Sequence, residues 1–254
     1  MAFATGLGMA AVLGLASAGL FLRGSIWQAL AVSQWSALGG VFASTLALPI
    51  LPVALGTAAL AIAFLHWKND AQRWPMLLFL GGIAGVMLLA SNFGQAELAA
   101  ARWAEGQLYF VTRDLSLATL IVLVVTVLLI TRLLRQWLLT QAGPDLGKGT
   151  RLSLSALLLE ASWWTVVIVL GTATMGLPAS LALLLLPAWA ATPIARHARG
   201  FVLTSLVIAV FSYVLAWFAA LYFDQAFAPV LVACLILITA VMHLGRRLNI
   251  VPGP

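Results

Sequence analysis

The sequence predicts an all-α fold, a polytopic integral membrane bundle of about eight to nine transmembrane helices. Three observations predict it. Of the 254 residues, 63% are hydrophobic and only 8% charged, whereas an ordinary soluble domain carries about a quarter charged residues. The mean hydropathy is +1.10, so a soluble fold would lack the charges needed to cover its surface. The apolar residues also fall into repeated runs near the roughly 20 residues that cross a bilayer as a helix. Runs such as 115–130 and 202–221 are apolar on every face. Barrel strands would instead alternate polar and apolar over about ten residues. Helices satisfy their own backbone hydrogen bonds in lipid, and the pattern selects them.

In chain order, about nine spans are expected, near 6–22, 27–47, 50–67, 74–91, 115–137, 152–172, 177–196, 201–223 and 228–245. The stretch from Met1 to Leu22 has no basic segment ahead of its apolar run, so it reads as a span and not a cleaved signal. The second and third spans form one apolar stretch broken at Pro49 and Pro52. No long linker interrupts the chain, which reads as a single transmembrane domain, 1–254. Between the fourth and fifth spans, 91–115 is polar, and its middle, 96–103, has helical composition suited to the membrane surface. The longest connection on the other side, around 140–150, is rich in Gly, with Pro144 where a short helix can start.

Basic residues set the orientation. Arg23, Lys68, Arg73, Arg132, Arg135, Lys148, Arg151, Arg196, Arg199, Arg246 and Arg247 occupy alternate connections, which are expected in the cytoplasm with the C-terminus. The opposite connections hold Glu97, Glu105, Asp114 and Asp224, with Arg102 and Arg113 as their positive residues. The net charge of +6 is therefore the signature of cytoplasmic loops, and nucleic-acid binding is not expected. The single cysteine, Cys234, lies in an apolar run and gives neither a disulfide framework nor a thiolate metal cluster.

Catalytic constellations are missing. His66, His197 and His243 sit at the cytoplasmic ends of spans, where a cation favours the helix dipole, and read as anchors. Trp27, Trp67, Trp74, Trp103 and Trp137 fall near the expected membrane interfaces. Trp35, Trp163, Trp164, Trp189 and Trp217 fall within spans and read as packing. Polar residues within spans are costly in lipid and face a partner or a cavity. Glu160 is the one carboxylate well inside a span, and reads as paired with an interfacial Arg or snorkelling to the surface. Ser33, Gln34 and Ser36 in the second span either bond neighbouring helices or line a transport path. Gly39 and Gly40 permit close helix packing, and small residues of the fifth and seventh spans such as Ala188, Ala190 and Ala191 would let the helices of two copies meet closely.

Several stretches, in order along the chain, resemble the permease subunit of bacterial ATP-binding-cassette importers for zinc and manganese. Leu22-Arg23-Gly24, followed by Ser33 and Gly39, is similar to an LRR or LRG turn leading into a GDAxSHAxxPG span. Leu146-Gly147-Lys148 matches an LAK or LAR within the segment that contacts the ATPase. The stretch from Gly176 to Thr192 resembles GxxLLxxLLIxPAATA, with Pro187-Ala188 at its PA. Asp224 with Ala228-Pro229 is similar to YDxPAGP, and Glu105-Gly106-Gln107-Leu108 with Asp114 to FGxIL…D.

The resemblance implies a permease fold and a translocation path lined by the second span at Leu30, Ser33, Gln34 and Ser36. It implies ATPase coupling through Pro144, Asp145, Leu146, Gly147 and Lys148, and structural roles for Arg23, Gly39, Gly176, Pro187, Asp224 and Pro229. The chain itself would bind no cofactor and hydrolyse nothing; ATP and Mg would sit on separate cytoplasmic ATPase subunits. Further partners would be a second copy of the chain, an extracytoplasmic substrate-binding protein and membrane lipids, all at a bacterial cytoplasmic membrane. The sequence departs from the family at the metal site. Leu30 stands where the family has Asp, Gln34 where it has His, and Gly143 where an acidic residue opens the coupling segment. Leucine cannot ligate a cation and glutamine is a weak zinc ligand, so a divergent branch is implied, moving metal with other ligands or as a chelate. The alternative is a non-transport membrane protein, an intramembrane enzyme or assembly factor; an enzyme would need convergent ionisable groups at membrane depth.

Overall fold

Turn residues decide where the apolar runs break. A computed structural model describes residues 1–68, 73–106, 108–141 and 154–248. They form ten α-helices: α1 (Ala2–Arg23), α2 (Ile26–Thr45), α3 (Ile50–Lys68), α4 (Arg73–Asn92), α5 (Gly94–Glu105), α6 (Arg113–Gln141), α7 (Leu154–Met175), α8 (Leu177–Ala191), α9 (Ala198–Tyr222) and α10 (Phe227–Arg247). Nine of these are the expected spans, and α5 is the expected helix around 96–103.

The breaks follow local chemistry. Gly24 closes α1 in the left-handed region (φ 64°, ψ 26°), which glycine adopts without Cβ strain. Its N–H donates to Phe21 O at 3.2 Å, and the Ser25 N–H to Leu20 O at 3.1 Å, so orphan carbonyls of the last turn are satisfied as in a Schellman cap. This is the Leu22-Arg23-Gly24 turn of the sequence. The long stretch after Ser25 breaks at Pro49, with Ala47 left-handed (φ 52°). Pro52 and Pro229 sit in the first turns of α3 and α10, where a missing amide costs nothing. Asp224 turns the chain from α9 to α10 with φ 50°.

Two expected spans are less regular than the rest. Seven helices are long and apolar enough to cross a bilayer, and α2 and α8 are not among them. The α2 helix carries Gln28, Ser33, Gln34, Ser36, Ser44 and Thr45. The α8 helix has 15 residues and stops at Ala191, short of the expected 196, because Pro193 brings no N–H to continue its hydrogen-bond ladder. Both are largely buried inside the bundle, where neighbouring helices take the place of lipid.

Packing is organised by α1 and α2. The α1 helix lies against α6, α7, α8 and α9, the α2 helix against α3, α4, α5 and α7, and α7 touches both. Lipid is as apolar as leucine, so membrane helices associate by close approach and hydrogen bonding more than by hydrophobic burial. At Gly14, an added Cβ would stand 2.5 Å from Ala209 Cβ on α9, so any side chain there would part the two helices. Leu60, Leu77, Leu80, Met87, Leu120 and Leu128 are exposed on α3, α4 and α6, as lipid-facing residues should be.

Pro187 lies inside α8 and disturbs its amide ladder. The next amide, Ala188 N–H, donates to Ser17 Oγ of α1 at 3.0 Å, and Ser17 is buried. A hydroxyl on a neighbouring helix thus re-satisfies backbone freed by proline, which hydrocarbon cannot do. Replacing Ser17 by Ala should leave this amide unpaired and cost about 1–3 kcal/mol, read as a lowered midpoint of thermal unfolding in detergent. A midpoint equal to that of the parent would show that the α8 kink needs no support from α1.

Candidate functional site

At the basic end of the bundle, where α1, α3, α6, α8 and α10 finish, the last residue of α1 meets the first turns of α7. Arg23 Nη1 forms an ion pair with Glu160 Oε1. Trp137 Nε1 of α6 donates to the same oxygen at 3.0 Å, and Trp164 Nε1 of α7 at 3.4 Å. Glu160 and Trp164 are four residues apart and therefore share a helix face. Glycine at position 19 lets Trp137 lie against α1, since a Cβ there would come 2.5 Å from its ring. Trp163 stands edge-on to Trp164, their centroids 4.9 Å apart, and its Nε1 donates to Thr126 Oγ1 at 2.9 Å. Glu160 is 2% exposed. Held by a guanidinium and two indole N–H groups, it is a structural tie between three helices and offers no free carboxylate for metal ligation or proton transfer. Of the two readings open for Glu160, the structure selects the pair. Trp137, placed by sequence at the membrane interface, is instead fully buried, because the carboxylate requires its N–H.

The four residues expected along a path do not share one side of α2. Leu30, Ser33 and Gln34 lie on one side. Ser33 Oγ donates to Leu30 O at 2.8 Å, and Gln34 packs on α4, where its Cβ would lie 2.7 Å from a Cβ at Gly82. Ser36 points to α7, its Oγ 3.3 Å from Thr172 Oγ1. Trp35 Nε1 donates to Leu78 O of α4 at 2.9 Å, while Thr57 Oγ1 of α3 donates to Trp35 O at 2.9 Å. Gly39 faces that threonine closely, so its small size serves the α2–α3 contact.

The side of α2 that carries Ser36 borders a cavity at the basic end, and α7 borders both that cavity and another at the opposite end. At the basic end, one of about 60 Å³ is lined by Arg23, Ser25, Gln28, Val32, His66 and Ile168, among others. At the opposite end, one of about 250 Å³ is lined by residues including Ile50, Arg102, Trp103, Thr112, Asp114 and Thr172. A second of about 250 Å³ adjoins it through Ile50, Arg102 and Trp103. Val32 and Ser36 are one turn apart on α2, as are Ile168 and Thr172 on α7. One turn of α7 thus separates the two cavities, and on the α2–α7 seam Ser36 meets Thr172 at the edge of the second. Trp103 was expected at an interface and is instead buried against Gly40 of α2.

The remaining candidates divide between structural turns and a segment outside the described residues. Gly176 (φ 84°) starts α8, and Gly106 (φ 83°) ends α5. A Cβ at Gly106 would collide with Met175 O, so two stretches of the sequence resemblance meet here. Pro144, Asp145, Leu146, Gly147 and Lys148 lie outside the described residues. Ala188, Ala190 and Ala191 are fully buried within the chain, so they are spent on its own helices and cannot meet a second copy. His66 Nδ1 lies 2.9 Å from Ile62 O, and His243 Nε2 3.2 Å from Trp189 O. Among the described residues no three His, Cys, Asp or Glu side chains converge as a metal site.

Breaking the buried pair should be costly, and deleting it whole should not. Glu160→Ala strands Arg23 and two indole N–H groups and is expected to cost about 3–5 kcal/mol, whereas Arg23→Met with Glu160→Met should recover most of this. Thermal unfolding of the three proteins checks it: a double variant no more stable than Glu160→Ala contradicts the pairing.

No protein-family profile matches the sequence, and no curated protein matches it either. Solved structures do match. PsaBC from Streptococcus pneumoniae, determined in complex with Fab, is 21% identical, with 95% of this chain and 89% of that chain covered at a TM-score of 0.79. An inward-facing structure described as a metal-chelate type ABC transporter is 14% identical, covering 96% of this chain and 84% of that chain at a TM-score of 0.70. The chain has the fold of the permease of a metal-type ATP-binding-cassette transporter.

Proposed function

We propose that the chain is the membrane permease of an ATP-binding-cassette importer whose cargo is a transition metal, zinc or manganese, or a metal chelate. The observation that carries this reading is the fold shared along almost the whole chain with two transporter structures. The α2–α7 seam gives the reading a physical route. A cavity at each end and one turn of closed packing between them is what alternating exposure of a path requires. Movement of α7 against α2 by a few ångströms would part Ser36 from Thr172 and join the two cavities.

The basic end is the cytoplasmic end in this reading, by the excess of Lys and Arg in connections on that side, and the membrane is the bacterial cytoplasmic membrane. The 29 residues of α6 rise about 43 Å at 1.5 Å per residue, against a hydrocarbon core of about 30 Å. Its last turns deliver the chain to the 140–150 segment, where Leu146-Gly147-Lys148 is proposed to dock on the ATPase. ATP and Mg act there. Trp137, within one turn of that segment, holds Glu160, so a pull on α6 reaches α1 and α7 directly. A second copy of the chain supplies the second docking segment, and an extracytoplasmic protein delivers cargo to the opposite end.

Replacing Leu146 by Asp places an unpaired charge in the proposed docking surface and should reduce recovery of the ATPase at least tenfold. The measurement is co-purification of the partner ATPase with tagged parent and variant. Recovery at the parent level would contradict the coupling role.

A further inference from the structure

At the acidic end, the two adjoining cavities of about 250 Å³ each share Ile50, Arg102 and Trp103. Among the described residues, none forms an ion pair with the Arg102 guanidinium, and the side chain is exposed. Trp103 beside it packs against Gly40 and lines both cavities. Ser44, Gln95 and Thr112 add neutral hydrogen-bonding groups, and the floor is Thr172, paired with Ser36. Among the described residues Asp114 is the one carboxylate in the lining.

This donor set is wrong for a bare divalent cation. Zinc takes four nitrogen, sulfur or oxygen ligands, usually from several His, Cys or carboxylate groups. Manganese favours several oxygens. One carboxylate facing one guanidinium meets neither demand, and Arg102 would repel the cation. At the other end of the seam Arg23 and His66 line the cavity, Glu160 is already bound by Arg23, and no carboxylate is in the described lining. An organic acid fits instead. A guanidinium fork matches a carboxylate through two parallel hydrogen bonds, and the indole and Ile50 provide an apolar wall.

Resting on the transport reading, we propose that the Arg102–Trp103 cavity receives cargo as a carboxylate-bearing complex, with Arg102 binding a carboxylate and the Ser36–Thr172 contact closing the floor beneath it. The ligand class is thus an anionic metal chelate or its free acid, and not the hydrated ion.

Equilibrium dialysis of the full-length protein in nanodiscs tests this without the ATPase. The probes are zinc nitrilotriacetate, zinc citrate, zinc chloride and the two free acids. The parent should retain at least one zinc complex. Arg102→Ala should weaken that binding at least tenfold, Arg102→Lys should weaken it less, and Asp114→Asn should strengthen it by removing a like charge. Competition by the free acid would show that the carboxylate alone is recognised; no competition would show that the whole complex is, and both support the proposal. Arg102→Ala retaining the complexes as the parent does, the parent retaining neither complex, or zinc chloride binding that Arg102→Ala leaves unchanged in place of complex binding would each overturn it. Because Arg102 is exposed, its variants should unfold at the parent temperature. Loss of ATPase co-purification with intact Arg102-dependent binding would instead sink the transport reading and leave this site standing.

Discussion

Hydrocarbon offers a buried polar atom nothing to bond, and the architecture follows from that constraint. The polar atoms of the bundle are therefore tied to one another across helices. Besides the Arg23–Glu160 pair and the Ser17–Ala188 bond, Ser205 Oγ donates to Gly14 O at 2.8 Å and Tyr213 OH to Phe3 O at 3.0 Å. Both join α9 to α1. Many threonines return their hydroxyls to a carbonyl four residues back, as Thr126 does to Val122 at 2.7 Å. The exceptions are few: among the described residues, only Gln136 Oε1 and Ser212 Oγ are buried side-chain atoms without a partner. As a pairwise coupling each hydroxyl tie is worth about 1 kcal/mol or less in a membrane, less than the cost of stranding one partner, so the main effect of these ties is to fix which face of each helix meets which neighbour.

That specification is what makes α1 the axis of the molecule. In one helix, Gly14 meets α9, Ser17 meets the disturbed turn of α8, Gly19 admits an indole from α6, and Arg23 binds α7. The residues that face outward on α3, α4 and α6 carry no comparable instruction. An element tied at four points moves as a unit with its neighbours. The α2–α7 seam is lightly bonded by comparison, with one hydroxyl–hydroxyl contact of 3.3 Å at Ser36 and Thr172. Such a seam is where relative motion costs least.

The parts of this design that were legible in the sequence are those that depend on hydropathy and turn chemistry. The nine apolar runs became helices, and Gly24 and Pro49 broke the chain where they stand. The polar stretch around 96–103 became α5. Which face of each helix points inward was hidden, because a run apolar on every face has no periodicity to read. Trp137 illustrates this: its position in the chain marks an interface, and only a carboxylate on another helix explains its burial. Ser36 and Gln34 are two residues apart and so fall on nearly opposite sides of α2, a separation that the sequence resemblance did not bring out. Ala188 and Ala191 carry the small-residue signal for close helix contact, but the signal does not say whose helix. The short α8 was overextended because composition continues apolar to Ala195 while Pro193 ends the helix.

The account stands on the claim that cargo passes along the α2–α7 seam between the two ends of one chain. A cross-link across that seam tests it most directly. In a protein with Cys234 replaced by Ala, Ser36→Cys and Thr172→Cys together place two thiols where the hydroxyls now touch. Oxidation should close the seam and abolish ATP-driven metal uptake into vesicles containing the chain and its ATPase, and a reductant should restore it. Uptake undiminished with the disulfide formed would contradict the account and place the route elsewhere.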